Sequence, residues 1–206
     1  MNTYFITGIG TDVGKTVAAA IVVEALQADY WKPVQAGELQ HTDTHSVKEL
    51  ISNSKSVMHD HSYALRTPMS PHASAAIDGI SINLETIKEP HTKNNLVIEG
   101  AGGLLVPLNE QETILDLIKN DYKVIVVSRH YLGSINHTLL TLSELKRRGL
   151  EVSGIIFNGE AHPSSENIIK KIGHVEEIGR IDEEVLIDKE VIRKYAGLFK
   201  SRLEAL

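Results

Sequence analysis

Short, unbroken apolar runs alternate along this chain with longer segments whose apolar residues recur every three or four positions. The runs predict strands at Tyr4–Thr7, Tyr30–Val34, Leu96–Glu99, Val124–Ser128, Val152–Asn158 and Val175–Ile178. Helical spacing falls between them, at Val17–Gln27, Asp43–Ser52, Thr113–Lys119, Ile135–Arg148, Ser164–Lys171 and Lys189–Leu206. The run Val124-Ile125-Val126-Val127 has no polar face, so that strand has to be covered on both sides. Such strands separated by helices predict an α/β fold, a mainly parallel sheet with helices on both faces. At 206 residues it fits a single domain spanning 1–206. In sheets of this kind ligands bind at the carboxyl ends of the strands, so functional residues belong just after each strand.

After the first strand the chain reads Gly8-Ile9-Gly10-Thr11-Asp12-Val13-Gly14-Lys15-Thr16 and then enters an alanine- and valine-rich helix. A glycine-rich turn between strand and helix surrounds an oligophosphate with backbone N–H groups and the positive helix end. Lys15 reaches the terminal phosphates, and the Thr16 hydroxyl takes one position on Mg²⁺. The spacing departs from the common phosphate loop, because the first glycine's place is held by Ile9 with Gly8 and Gly10 on either side.

After the second strand comes Trp31-Lys32-Pro33-Val34-Gln35-Ala36-Gly37. A lysine ending a buried strand needs an anion beside it, and the predicted sheet edge is the one that carries Lys15. After the third long strand comes Glu99-Gly100-Ala101-Gly102-Gly103, where Glu99 is suited to Mg²⁺ and the glycines admit a ligand to the backbone. Asp43, in His41-Thr42-Asp43-Thr44-His45, is the second carboxylate suited to Mg²⁺. The same cluster, with His59, Asp60 and His61, has the composition of a transition-metal site, although no metalloprotease pattern accompanies it.

Composition narrows the field. A net charge of −6 leaves no basic excess for nucleic acid, and the absence of cysteine removes disulfides, thiolate metal sites and thiol nucleophiles. No stretch approaches the ~20 apolar residues of a membrane span, and the N-terminal apolar residues are needed for the first strand. A cytoplasmic enzyme with neither nucleic-acid nor membrane partners is the expectation.

In combination these blocks resemble dethiobiotin synthetase, an ATP-dependent ring-closing ligase. The resemblance is carried, in the family's order, by Gly8 to Thr16, Lys32 to Gly37, Asp43 and Ser70-Pro71-His72. It continues through Glu99 to Gly103, Leu132-Gly133-Ser134-Ile135-Asn136-His137 and Asn158. It implies 7,8-diaminopelargonic acid, CO₂ and MgATP as substrates. A carbamate formed on one amine attacks the γ-phosphoryl group, and the second amine closes the ring and expels phosphate. By the resemblance, Lys15, Lys32 and Thr11 serve catalysis, and Gly10, Thr11, Asp12, Val13, Gly14, Lys15 and Thr16 hold the nucleotide phosphates. Asn158 takes adenine, Thr16, Asp43 and Glu99 hold Mg²⁺, and Lys32, Gly100, Gly133, Ser134, Ile135 and Asn136 bind the diamine. The helix start at Gly133 to Asn136 belongs to the partner subunit in that family, which implies a homodimer with shared active sites. Two positions depart from the family: Ala36 where a hydroxyl residue is common, and Asp182 where the family tends to have proline.

Two other readings share the loop. ATPases of the partitioning or division-site type carry a signature lysine where this chain has Gly10. For such a protein Lys189–Leu206 would be a membrane-surface helix, whereas its spacing suits an amphipathic helix closing the domain. Amide ligases of the cobyrinic acid type add a glutaminase domain with a cysteine nucleophile, for which this chain has neither the length nor the cysteine.

Overall fold

The computed structural model describes residues 1–206 throughout. Its strands are β1 (Thr3–Gly8), β2 (Asp29–Trp31), β3 (Val34–Ala36), β4 (Met58–His59), β5 (Tyr63–Leu65), β6 (Leu96–Gly103), β7 (Lys123–Arg129), β8 (Val152–Asn158) and β9 (Glu177–Ile181). The helices are α1 (Lys15–Leu26), α2 (Asp43–Leu50), α3 (Pro71–Asp78), α4 (Ser134–Arg147), α5 (Pro163–Gly173) and α6 (Lys189–Glu204). Seven strands form one sheet in the order β4-β2-β6-β1-β7-β8-β9, every neighbouring pair parallel.

Strand periodicity decides which side chains meet which helices. Successive residues of β1 point to opposite faces, so Tyr4 and Ile6 join α1, α2 and α6 in one core while Phe5 joins α4 and α5 in the other. The same alternation sorts Ile125 and Val127 of β7 from Val124 and Val126. Helix α1 is apolar from Val17 to Val23 because it lies between the sheet and α6, with no wet face to supply. Tyr195, Phe199 and Leu203 of α6 are buried, which confirms that helix as a closing element of the domain.

Several expected elements differ. Tyr30–Val34 is two strands: β2 stays in the main sheet, whereas β3 turns away and pairs with β5 in a separate two-stranded sheet. Pro33 has no N–H for the ladder and breaks the run there. Thr113–Lys119 shortens to a 3₁₀ turn over Ile114–Leu117, closed by a Thr113–Asp116 capping box. The last strand begins at Glu177 rather than Val175, and the third long strand runs on past Glu99 to Gly103. The stretch 53–67 supplies the edge strand β4 and the small strand β5.

One polar node ties the amino end of this sheet. Asp29, 3% exposed, accepts from Val57 N (3.0 Å), Thr92 Oγ1 (2.6 Å) and Asn94 Nδ2 (3.1 Å), and pairs with His59 Nε2 at 3.1 Å. Burial works to raise its pKa, but the bonds from Thr92, Val57, Asn94 and His59 outweigh burial and hold it below the ordinary carboxylate value. Asp29→Ala therefore strands several buried donors and is expected to cost about 2–3 kcal/mol in urea unfolding at neutral pH. Because the folded pKa is depressed, this contribution is complete above about pH 4 and is lost as pH falls through the folded value. A penalty that stays constant from pH 7 to pH 2 would refute the assignment.

Candidate active site

The carboxyl ends of β1, β2 and β6, with the start of α2, bring the expected charged residues together. Thr16 Oγ1 donates to Asp43 Oδ1 at 2.6 Å and lies 3.0 Å from Glu99 Oε1. Lys32 Nζ donates to Asp43 Oδ2 at 2.5 Å and to Glu99 Oε1 at 3.1 Å. Lys15, at the first position of α1, donates its Nζ to the Gly10 carbonyl at 2.8 Å. All five line one cavity of about 700 Å³, together with Thr11, Asp12 and Gly14 of the phosphate loop.

Local sequence explains each placement. Asp43 opens α2 behind Thr42, which accepts from His45 N while His45 Nδ1 accepts from Thr42 N, so the acid sits where the helix dipole favours a negative charge. Buried Gln35 accepts from the Asp43 N–H at 3.4 Å and so joins β3 to α2. Gly14 has φ 93°, and a Cβ there would stand 2.3 Å from Asn158 Nδ2, so only glycine lets the loop close against β8.

Electrostatics favour the charged forms of Lys32 and Asp43 and work against that of Lys15. Burial works to lower the Lys32 pKa, but Glu99 and Asp43 outweigh it, and the ammonium's pKa lies above its ordinary value. Burial works to raise the Asp43 carboxyl, and the charge of Lys32 with bonds from Lys32, Thr16 and Gln35 brings it below the usual range. Lys15 lies below its ordinary value because burial, aided by the charge of Lys32, exceeds the pull of Glu99, Asp43 and Asp12.

Mg²⁺ fits this donor set. Two carboxylates and a hydroxyl converge within hydrogen-bond distance of one another beside the phosphate loop, and hard oxygen ligands of that number suffice when phosphates complete the shell. The histidine alternative does not fit. No three His, Cys, Asp or Glu side chains are placed to hold an ion together. His45 instead caps α2, His59 pairs with Asp29, and His61 Nδ1 bonds the Lys32 carbonyl at 2.7 Å.

Other expected residues stand apart from this cavity. Gly133, Ser134, Ile135 and Asn136 are not part of its lining. Gly133 caps α4 with φ 104°, and Ser134 is buried with its N–H donated to the Tyr131 carbonyl, so Gly133, Ile135 and Asn136 are the exposed members. Gly100 faces Phe5 and Ile114 in the core, and it is Gly102 that reaches the cavity. Val13 is buried in the core, and its carbonyl accepts from Asn158 Nδ2 at 2.9 Å. One contributor has no signature in the sequence: Tyr30, fully buried, donates its hydroxyl to Glu99 Oε2 at 2.8 Å. Burial and the Glu99 charge hold the Tyr30 pKa well above its ordinary value, so the hydroxyl is a donor. Glu38, Met69 and Ser70 also line the cavity.

Comparison with known proteins separates fold from family. The septum site-determining protein MinD of Pyrococcus horikoshii, complexed with Mg-ADP, superposes with a TM-score of 0.63 over 98% of this chain and 95% of its own, at 16% identity. A putative plasmid partition protein of Borrelia burgdorferi bound to AMPPNP gives 0.63 over 100% and 99%, at 14% identity. These likenesses show the fold. A model described as an AAA domain matches residues 2–191. The ATP-dependent dethiobiotin synthetase BioD of Christiangramia forsetii is 59% identical over 98% of both chains, and that of Cytophaga hutchinsonii 54% over 83% of this chain and 84% of its own. The chain belongs to the dethiobiotin synthetase family. It is accordingly an ATP-dependent ligase.

Both departures from the synthetase pattern are visible. Ala36 lines the cavity with a methyl group, and the Asp182 N–H, which a proline would lack, donates to Tyr195 Oη at 3.0 Å.

The geometry also sets what Lys32 does for stability. Lys32→Gln keeps the stem and leaves Asp43 and Glu99 facing each other without a cation. Discounted for the partial exposure of Asp43, the cost is about 2 kcal/mol, a fall of roughly 4–8 °C in melting temperature. Millimolar Mg²⁺ should recover much of that fall in the variant and raise the wild type less. An unchanged melting temperature without Mg²⁺ would contradict the buried pairing.

Proposed function

We propose that the chain forms dethiobiotin from 7,8-diaminopelargonic acid, CO₂ and ATP, with Mg²⁺ held by Thr16, Asp43 and Glu99. The observation that carries this reading is the convergence of Lys15, Lys32, Thr16, Asp43 and Glu99 on one cavity at the phosphate loop. One substrate amine adds to CO₂ and loses a proton, giving a carbamate. A carbamate oxygen attacks the γ-phosphorus, ADP departs, and a carbamic–phosphoric anhydride results. The second amine then attacks the anhydride carbon, expelling phosphate and closing the ureido ring.

The carbamate is itself the nucleophile, so the protein has only to bring two anions together. Lys15 and Lys32 flank the phosphates, and the amides from Thr11 to Lys15, with Gly10 beside them, support the β-phosphate. When bound, Mg²⁺ neutralises phosphate oxygens and aligns the leaving group. Thr11, at the rim, is read as a further contact to the reacting phosphate, and Asn158 beside the loop as the adenine contact.

The diamine's carboxylate needs an anion site away from these groups, and the start of α4 provides exposed N–H groups and a positive dipole end. Those residues lie outside the cavity of their own chain, which supports a homodimer whose partner supplies them. A second cleft of about 420 Å³ between the phosphate loop and α4, rimmed by exposed Leu105 and Leu140, gives that partner an apolar seat. One sheet with its two cores supports reading 1–206 as one ligase domain, and the use of ATP supports a cytoplasmic location.

Phosphate release from MgATP and bicarbonate should depend on the diamine and fall by more than about tenfold in Lys15→Ala, a loss above ~1.4 kcal/mol. Release independent of the diamine would remove the synthetase reading.

Asn136→Asp places a negative charge at the exposed helix start, and should raise the diamine KM by about tenfold while the KM for ATP stays unchanged. Sedimentation at assay concentration should show a dimer. An active monomer would refute the shared site.

A further inference from the structure

Glu99 is held from two directions. Its Oε1 faces the cavity, 3.0 Å from Thr16 Oγ1 and 3.1 Å from Lys32 Nζ. Its Oε2 faces back into the sheet and accepts from Tyr30 Oη at 2.8 Å. Tyr30 comes from β2, which pairs directly with β6, and its ring is fully buried among the residues that pack against α1. The hydroxyl therefore has no access to solvent, and Glu99 is its one hydrogen-bond partner.

This division of the two oxygens limits how Glu99 meets a cation. Only Oε1 is turned toward the site, and bringing Oε2 round would leave a buried hydroxyl without a partner. Ca²⁺ takes six to eight oxygens at long, variable distances and readily uses both oxygens of a carboxylate. Mg²⁺ requires a short octahedral shell, in which a carboxylate contributes one oxygen. We propose that Tyr30 is a positioning residue that restricts Glu99 to single-oxygen ligation and thereby sets the preference for Mg²⁺ over Ca²⁺. The inference rests on the reading of Glu99 as a metal ligand given above.

The test is calorimetric and needs no turnover. Preformed Mg²⁺ and Ca²⁺ complexes of a non-hydrolysable ATP analogue are titrated into wild type, Tyr30→Phe and Glu99→Gln. Tyr30→Phe keeps the ring and frees Oε2, so the affinity for the Ca²⁺ complex relative to the Mg²⁺ complex should rise about tenfold. A ratio within twofold of wild type in Tyr30→Phe, with both complexes weakened in Glu99→Gln, overturns the role of Tyr30 and leaves Glu99 as a ligand. Glu99→Gln binding both complexes as wild type does would instead overturn the metal reading itself. Should Tyr30→Phe fail to fold, 3-fluorotyrosine at position 30 keeps the shape and strengthens the donor. It should then widen the Mg²⁺ preference, and an unchanged ratio there counts equally against the proposal.

Discussion

An ammonium buried between two carboxylates, Lys32 between Asp43 and Glu99, sets the terms for the rest of the site. Taking three charged groups out of water costs several kcal/mol each, and their mutual attraction offsets that only when the geometry is tight. Each carboxylate is therefore tied to more than Lys32. Thr16 donates to Asp43 and lies within hydrogen-bond reach of Glu99, Tyr30 fixes the far oxygen of Glu99, and Gln35 holds the start of the helix that carries Asp43. Two lysines and four carboxylates line the cavity, the latter being Asp12, Glu38, Asp43 and Glu99, so acid is in excess there. On the reading proposed above, a bound Mg²⁺ would offset that excess, and its phosphates would take over contacts that Lys32 now makes with the carboxylates.

The family resemblance of the chain and its structural likeness to MinD and a plasmid partition protein meet at the phosphate loop and diverge around it. The shared sheet is of the parallel kind whose ligands lie at the carboxyl edge of the strands. What a given chain does there depends on the residues that follow the neighbouring strands. Here these are Lys32 after β2 and Glu99 within β6, and Gly10 stands in the loop where partitioning ATPases carry a lysine. Fold alone leaves the chemistry open, so function has to be read from the side chains of the site.

Much of this was legible in the sequence because the signals were local. Gly14-Lys15-Thr16 announces a strand, a turn and a helix within a few residues, and the apolar run at Val124–Val127 announces a strand covered on both faces. Lys32 was conspicuous as a cation ending an apolar run, and its two carboxylate partners stand 11 and 67 positions further along the chain. The rest depended on pairing. Nothing around Tyr30 marks it as part of the site: it reads as an ordinary strand residue, and its role exists only because β2 lies beside β6. Likewise the helix start at Gly133 reads as an anion site, yet Ser134 is buried and its N–H is already taken by the Tyr131 carbonyl. The histidines of 41–61 were ambiguous for the same reason, since capping, pairing with Asp29 and bonding a carbonyl are all decided by the fold.

The break at Pro33 shows how a backbone constraint becomes a functional one. Were Tyr30–Val34 one strand, β2 would run on beside β6 and Lys32 would be one more residue within the ladder. The pairing ends at Trp31, and Pro33, with no N–H for the ladder, keeps it from resuming, so Lys32 stands at the carboxyl edge while the chain turns aside into β3. Gln35 on β3 then accepts from the Asp43 N–H and brings α2 across the same edge. A following turn at Gly37, with φ 79° and the Pro68 ring where a Cβ would lie, returns the chain toward α2. Sequence order therefore does the assembling. Strand end, proline, buried glutamine, glycine turn and helix start place a cation and its carboxylate partner 11 positions apart in the chain within 2.5 Å of each other.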